Sequence, residues 1–235
     1  MKVYIYGERN GIYIIDLAKT LQQLKNACKL AQDVVASRKS ILFVGTKKAA
    51  KAIVREQAEL AGEFYVSERW LGGMLTNLAT LRQSVKKLDR IEKKIAQGGE
   101  GVTKKELSLM AKDQIKLEKN LSGVRAMRKP PGLVIVVDPG LEDIAVAEAR
   151  KLKIPVMALI DTNSDPDPID LVIPCNDDST RSIKLVLDTI TNAIIEKKNE
   201  LLFTENKEDQ ETPAESLKAD REEMVEAIEL FEGKE

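Results

Sequence analysis

The sequence predicts an α/β protein: a mostly parallel sheet flanked by helices, interrupted by an inserted antiparallel coiled-coil hairpin. Three observations carry this expectation. Short β-rich runs alternate with helical patterns, the signature of a parallel α/β sheet. Those runs are apolar without alternation, as strands covered on both faces require. Between the second and third of them the spacing switches to a near-heptad.

The elements follow in order. ERNG (8–11) reads as a turn before a strand, with Asn10-Gly11 at its tip. Asp16–Arg38 is an amphipathic helix, because Leu17, Leu21, Leu24, Cys28, Ala31 and Val35 step by three or four. ILFVG (41–45) is a buried strand, Lys47–Ala61 a helix, and Glu63–Val66 a shorter strand. Leu75, Leu78, Leu81, Val85, Leu88, Ile91 and Ile95 then form one apolar seam. Gly98, Gly99 and Gly101 break it, and Leu107, Met110, Gln114, Leu117, Leu121 and Val124 form a second. Two such arms make a hairpin of about 30 Å, with the polar Gln114 placed to fix register. LVIVVD (133–138), VMALID (156–161) and LVIP (171–174) are the remaining strands. Leu141–Leu152 is a further helix, and Thr180–Leu202 a long one with its N-cap among Asn176, Asp177, Asp178 and Ser179. The domain reading is a discontinuous body of residues 1–74 and 130–203, a hairpin over 75–129 and an acidic tail over 204–235.

Composition narrows the function. The chain of 235 residues has no histidine, which excludes a Ser-His-Asp triad and any histidine-ligated metal. No apolar run approaches the ~18 residues that span a bilayer, and MKVYIYGERN lacks a signal-peptide core. Cys28 and Cys175 sit in unrelated contexts, as buried thiols of a reducing compartment do. The net charge of −1 conceals an asymmetry: residues 1–130 carry 26 Lys and Arg against 13 Asp and Glu, and residues 131–235 carry 11 against 25. A first half at +13 points to a polyanionic partner. Residues 204–235 hold 12 acids and 4 bases, a solubilising or partner-docking tail with weak apolar spacing at Met224, Ala227, Ile228 and Phe231.

Four motifs bear on chemistry. GTKKAAK (45–51) ends a strand and opens a helix, where backbone N–H groups favour phosphate. It matches neither nucleotide-binding glycine string, so Lys47, Lys48 and Lys51 read as RNA-backbone contacts, a solvated face or a nucleotide pocket. In ERNG, Asn10-Gly11 makes the turn, and Arg9 and Asn10 are placed to reach RNA. DTNSDPDPID (161–170) follows a strand's C-terminal end, where α/β folds place ligands. Its prolines make a rigid loop, and the alternative is a structural Mg²⁺ near Asp161, Asp165 and Asp167. RWLGGMLTN (69–77) is the junction between body and hairpin: Gly72 and Gly73 permit a sharp turn, Trp70, Leu71 and Met74 wedge the hairpin's base, and Thr76 or Asn77 caps the outgoing helix. Arg69 there suits phosphate. The hairpin itself is dense in cations, among them Arg82, Lys86, Lys87, Arg90, Lys104, Lys105, Arg125 and Arg128, with few acids between them. Such a surface neutralises phosphates without reading sequence. Aromatic residues are 4% of the chain, so base stacking contributes little and folded RNA is expected to be recognised by shape and backbone.

RNGIYIIDL (9–17), ILFVGTKKAA (41–50), RWLGGMLTN (69–77) and IPVMALIDTNSDPDPIDLVIPCNDDSTRSI (154–183), in this order, resemble the bacterial small-subunit ribosomal protein S-two family over about residues 2–203. The resemblance implies a flavodoxin-like, Rossmann-like body with an inserted coiled-coil hairpin. It implies a non-enzymatic cytoplasmic ribosome component that binds 16S ribosomal RNA near the head–body neck and helps recruit ribosomal protein S-one. It implies no cofactor, no small-molecule substrate, no membrane and no homo-oligomer. By the same resemblance the chain lacks the His-, Arg- and Trp-rich segment that usually precedes the match to MKVYIYGERN. Two other classes compete: a nucleotide- or metal-dependent α/β enzyme using the GTKK turn and the aspartate loop, and a coiled-coil protein-interaction module.

Overall fold

The structure, a computed structural model, describes residues 1–97 and 103–204. The expected glycine break at 98–101 and the tail beyond residue 204 lie outside the described residues. The chain divides into two units, Met1–Ile195 and Glu196–Glu235.

A β-hairpin opens the first unit: β1 (Ile5–Arg9) pairs antiparallel with β2 (Ile12–Ile15). Asn10 and Gly11 take φ of 55° and 78°, the left-handed pair that a tight two-residue hairpin needs. Helix α1 (Leu17–Ala36) starts where Asp16 Oδ1 accepts the N–H of Ala18 at 3.0 Å. Then come β3 (Ile41–Val44), α2 (Lys51–Ala61), β4 (Phe64–Val66), α3 (Leu78–Ala96), α4 (Lys104–Leu121), β5 (Leu133–Val137), α5 (Asp143–Lys151), β6 (Val156–Ile160) and β7 (Leu171–Pro174). Helix α6 opens at residue 180 and closes the first unit at 195; residues 196–204 of the second unit are helical too.

The main sheet has the order β4-β3-β5-β6-β7 and every pairing is parallel. Its central strands are buried along their whole length, which is why they read as unbroken apolar runs. One face (Leu42, Val44, Val134, Val136, Val156, Ala158) shares a core with α5, the 69–77 segment and the base of α3 and α4. The edge strand β4 is covered by a short turn at Ser122–Val124. Only glycine fits at 123, because a Cβ there would lie 2.2 Å from the Tyr65 carbonyl oxygen.

The two seams predict which side of α3 and α4 faces inward. Leu81, Leu88, Ile91, Leu121 and Val124 are buried. Leu107, Met110, Gln114 and Leu117 are half-buried, whereas Leu109 and Ile115, off the seam, are 56% and 67% exposed. The helices pack on each other, with Lys87 Nζ 3.6 Å from Asp113 across the pair.

Some expected helices are shorter than the sequence implied; that expected over Leu141–Leu152 runs over Asp143–Lys151. The segment 47–50 is a turn and α2 begins at Lys51. In that turn the Lys47 side chain reaches Asp138, Asp177 and Asp178. Cys28 and Cys175 form no disulfide; Cys175 is buried as expected, Cys28 only half-buried, and burial pushes the Cys175 thiol up to about 12.

Candidate nucleic-acid interface

The junction between body and helical pair is built around one carboxylate. Glu148 lies on α5, 8% exposed. Its Oε1 accepts Trp70 Nε1–H at 3.1 Å and the Gly73 N–H at 2.6 Å. Its Oε2 accepts the N–H groups of Leu75 and Thr76 and the Thr76 hydroxyl, each at 3.0 Å. Burial works against the charge, but the donors from Thr76, Gly73, Trp70 and Leu75 outweigh it and hold the carboxyl below its usual range. The segment can wrap Glu148 because Gly73 takes φ +89°, a conformation that is costly with a Cβ. Gly72 has open space around its Cα, so the two glycines are not equivalent. Asn77 caps α3, its Oδ1 accepting the Thr80 N–H at 3.3 Å. Trp70 and Met74 are buried as the wedge reading expected. Glu148 itself was invisible in the sequence.

The GTKKAAK turn is closed. The Thr46 N–H donates to Glu142 Oε1 at 2.7 Å, so the amide expected to face phosphate already holds a carboxylate. Lys47 Nζ lies 2.5 Å from Asp177, 2.6 Å from Asp178 and 3.2 Å from Asp138. Burial disfavours its charge, yet the hydrogen bonds to these aspartates raise its pKa well above the ordinary lysine value. The expectation that Lys47 contacts RNA is therefore corrected: its ammonium is the counterion of an internal acidic cluster. Asp177 is fully buried. Burial, with Asp138 and Asp161 nearby, raises its pKa in spite of Lys47. Its second oxygen has no hydrogen-bond partner.

The aspartate-loop expectation is corrected in membership. Asp161 gathers with Asp177 and Asp178, whose ligand oxygens lie within 4.8 Å of one another. Asp165 and Asp167 stay out because Asp165 Oδ1 accepts the Asp167 N–H at 3.1 Å in a local turn. Among the described residues, the first three are the carboxylates placed to hold a cation.

The other expected contacts divide into two groups. Lys51 and Lys119 share Glu68 Oε2 at 2.9 and 3.2 Å, which lowers the Glu68 pKa and ties α2 to α4. Arg125 binds Glu92 and Asp89, and Arg82 donates to the Arg128 carbonyl, locking the base of the pair. Arg9, Asn10, Lys48, Arg69, Lys86, Arg90, Lys104, Lys105 and Arg128 are exposed, and the cations among them form no ion pair with another described residue. Lys87 reaches only the exposed Asp113. Lys86, Arg90, Lys104 and Lys105 thus leave exposed positive charge on α3 and α4.

A turn occupied by Lys47 and its aspartates and a cation-rich pair of helices are the features of a binding surface. Comparison with known proteins agrees. Residues 1–197 match the family described as Ribosomal protein S2. The chain is 70% identical over 215 residues to the small ribosomal subunit protein uS2 of Protochlamydia amoebophila (strain UWE25), covering 92% of this chain and 79% of that protein. It is 60% identical over 201 residues to the uS2 of Chlamydia felis (strain Fe/C-56), covering 86% and 74%, and 55% identical over 230 residues to that of Chlamydia muridarum (strain MoPn / Nigg), covering 98% and 80%. The chain belongs to the ribosomal protein S2 family. It is a small-subunit ribosomal protein of the cytoplasmic translation machinery, and the family is not enzymatic. No helix among the described residues is long and apolar enough to cross a membrane.

Proposed function

We propose that this protein binds 16S ribosomal RNA through phosphate contacts along α3 and α4, and that these helices form an antiparallel coiled-coil hairpin inserted between body segments 1–74 and 130–203. The observation that carries the reading is the separation of roles on the helical pair. Apolar residues face inward, the junction is fixed by Glu148, and Lys86, Arg90, Lys104 and Lys105 are left outward without carboxylate partners. Phosphate neutralisation needs cations at a fixed pitch on a rigid support and no base reading.

The position near the head–body neck and the recruitment of ribosomal protein S-one rest on the family resemblance of residues 2–203. A surface chemically unlike the hairpin supports a protein neighbour. The turn Lys2–Tyr4, the β1–β2 hairpin and the start of α1 leave Val3, Tyr6, Ile12 and Leu17 between 67% and 80% exposed, apolar side chains of the kind that meet protein rather than RNA. The protein acts without forming a homo-oligomer and with no cofactor of its own.

The test is sedimentation of a tagged copy from cell lysate, before and after a high-salt wash. Co-migration with small subunits, lost progressively as salt rises, is the expected outcome. A protein that stays at the top of the gradient at low salt contradicts the reading.

A further inference from the structure

The parallel sheet sorts charge between its two ends. Asp138, Glu142, Asp161, Asp177 and Asp178 follow strand ends, so the C-terminal edge is acidic. The opposite edge is where β3, β5 and β6 begin, and these three are neighbours in near-level register, with Ile41 beside Leu133 and Val134 beside Val156. Each is preceded by a basic pair: Arg38-Lys39, Arg128-Lys129 and Lys151-Leu152-Lys153. All six cations are exposed. With strands about 4.8 Å apart, the three loops present charge across roughly 10 Å before the side chains extend. The carboxylates that strand starts bring to this edge are already engaged: Glu63 accepts the Ile41 N–H and Asp170 the Val156 N–H, both at 2.7 Å. Lys39, Lys129, Lys151 and Lys153 form no ion pair with another described residue.

Helix dipoles alone do not account for this edge. Cations complement the C-termini of α1 and α5, but Arg128 and Lys129 follow no α-helix end and stand between the other two pairs. Backbone conformation is a second sign. Arg38 and Lys153 take φ of 54° and 56°, in the left-handed region where a Cβ is unfavourable. The equivalent position after α2 is Gly62, at φ 64°. A charged side chain thus stands twice where glycine would be the unstrained choice, and such strain collects at functional positions.

We propose that this strand-start edge, through Lys39, Lys129, Lys151 and Lys153, is a second RNA-backbone contact face, separate from the helical pair. The inference rests on the chain being an rRNA-binding protein. Continuity favours RNA over an acidic protein, because the Arg82–Arg128 contact carries the cationic strip from the base of α3 directly onto the edge. The large exposed apolar side chain in these loops is Leu152, at 39%, with Ala126 and Pro130 the other exposed apolar residues, too little for a protein hot spot.

The test uses the full chain and small subunits depleted of it, with affinity measured against salt for three proteins: wild type, K39A/K129A/K151A/K153G, and the hairpin variant K86E/K87E/R90E. The edge variant is expected to flatten the log–log salt slope by about 3, since each lost phosphate contact removes about 0.7–0.9. An unchanged slope in the edge variant, with the hairpin variant weakened, overturns the edge and leaves the hairpin reading intact. If neither variant weakens binding, the rRNA reading fails with it. A photo-crosslinking residue in place of Leu152 should label RNA; labelling of a neighbouring protein overturns the proposal. K153G alone should raise Tm by about 2–4 °C as strain is released while lowering affinity. A fall in Tm would make Lys153 a structural cap and remove the argument.

Discussion

Glu148 on α5 and Asp177 after β7 are both buried carboxylates, and their surroundings differ in sign. Glu148 is ringed by five donors and no competing acid. Asp177 has one oxygen on Lys47, the other without a partner, and three further aspartates, Asp138, Asp161 and Asp178, around it. Hydrogen bonding lowers the first pKa and burial raises the second. The difference teaches that a buried charge stabilises only when its donors are complete. The Glu148 site is a lock that sets where the helical pair leaves the body. The Asp177 site leaves a buried carboxylate oxygen without a partner at the C-terminal edge of the sheet.

The largest expected effect comes from breaking the lock. Glu148→Ala leaves five donors facing a hole and should cost about 3–5 kcal/mol in denaturant unfolding; Glu148→Gln, which keeps one acceptor oxygen, should cost less. A loss below about 1 kcal/mol for the alanine variant would show that water replaces the carboxylate and that the junction is not held this way. The two carboxylates also predict opposite pH effects. The depressed Glu148 pKa contributes stability that is present above its unfolded-state value and is lost as pH falls through the folded value. The raised Asp177 pKa acts in the other sense, its destabilisation being relieved as pH falls. Glu148→Gln should therefore flatten the acid limb of a stability–pH curve, and Asp177→Asn should steepen it.

Intermediate effects test the donors. Gly73→Ala forces a Cβ into φ +89° and to 3.2 Å from the Asn77 Cβ, and should cost about 1–2 kcal/mol. Trp70→Phe keeps the buried ring and removes one donor to the carboxylate, for about 1–2 kcal/mol. Smallest of all, Gly72→Ala should stay within about 0.5 kcal/mol, because a Cβ there meets nothing. Equal costs at 72 and 73 would contradict the geometry of the wrap.

What was legible in the sequence follows the range of each interaction. The seams of α3 and α4, the strands and the Asn77 cap rest on neighbours a few residues away, so spacing revealed them. The role of 69–77 as a junction was legible from Trp70 and the paired glycines. Its organising partner was not, because Glu148 sits in AEAR within an ordinary amphipathic helix and is joined to Trp70 across 78 residues. Lys47 misled for the same reason. A lysine at a strand-to-helix turn favours phosphate until the sheet brings Asp138 and Asp177 beside it, from 91 and 130 residues away. Asp165 and Asp167 were grouped with Asp161 by proximity in sequence, whereas the parallel topology delivers Asp177 and Asp178 from the next strand end. The cations of α3 and α4 stayed readable as exposed charge because few acids lie near them in sequence or space.

The central claim is that the outward cations of the helical pair hold RNA phosphates while Glu148 holds the pair. The most direct measurement is the salt dependence of binding to depleted small subunits for the wild-type chain and for K86E/K87E/R90E, with the fluorescence of the single Trp70 monitoring the junction. The account predicts a steep wild-type slope, a weaker and flatter one for the variant, and the same Trp70 emission in both. Equal slopes with unchanged emission would contradict it, because the cations would then be solvated charge and the RNA contact would lie elsewhere.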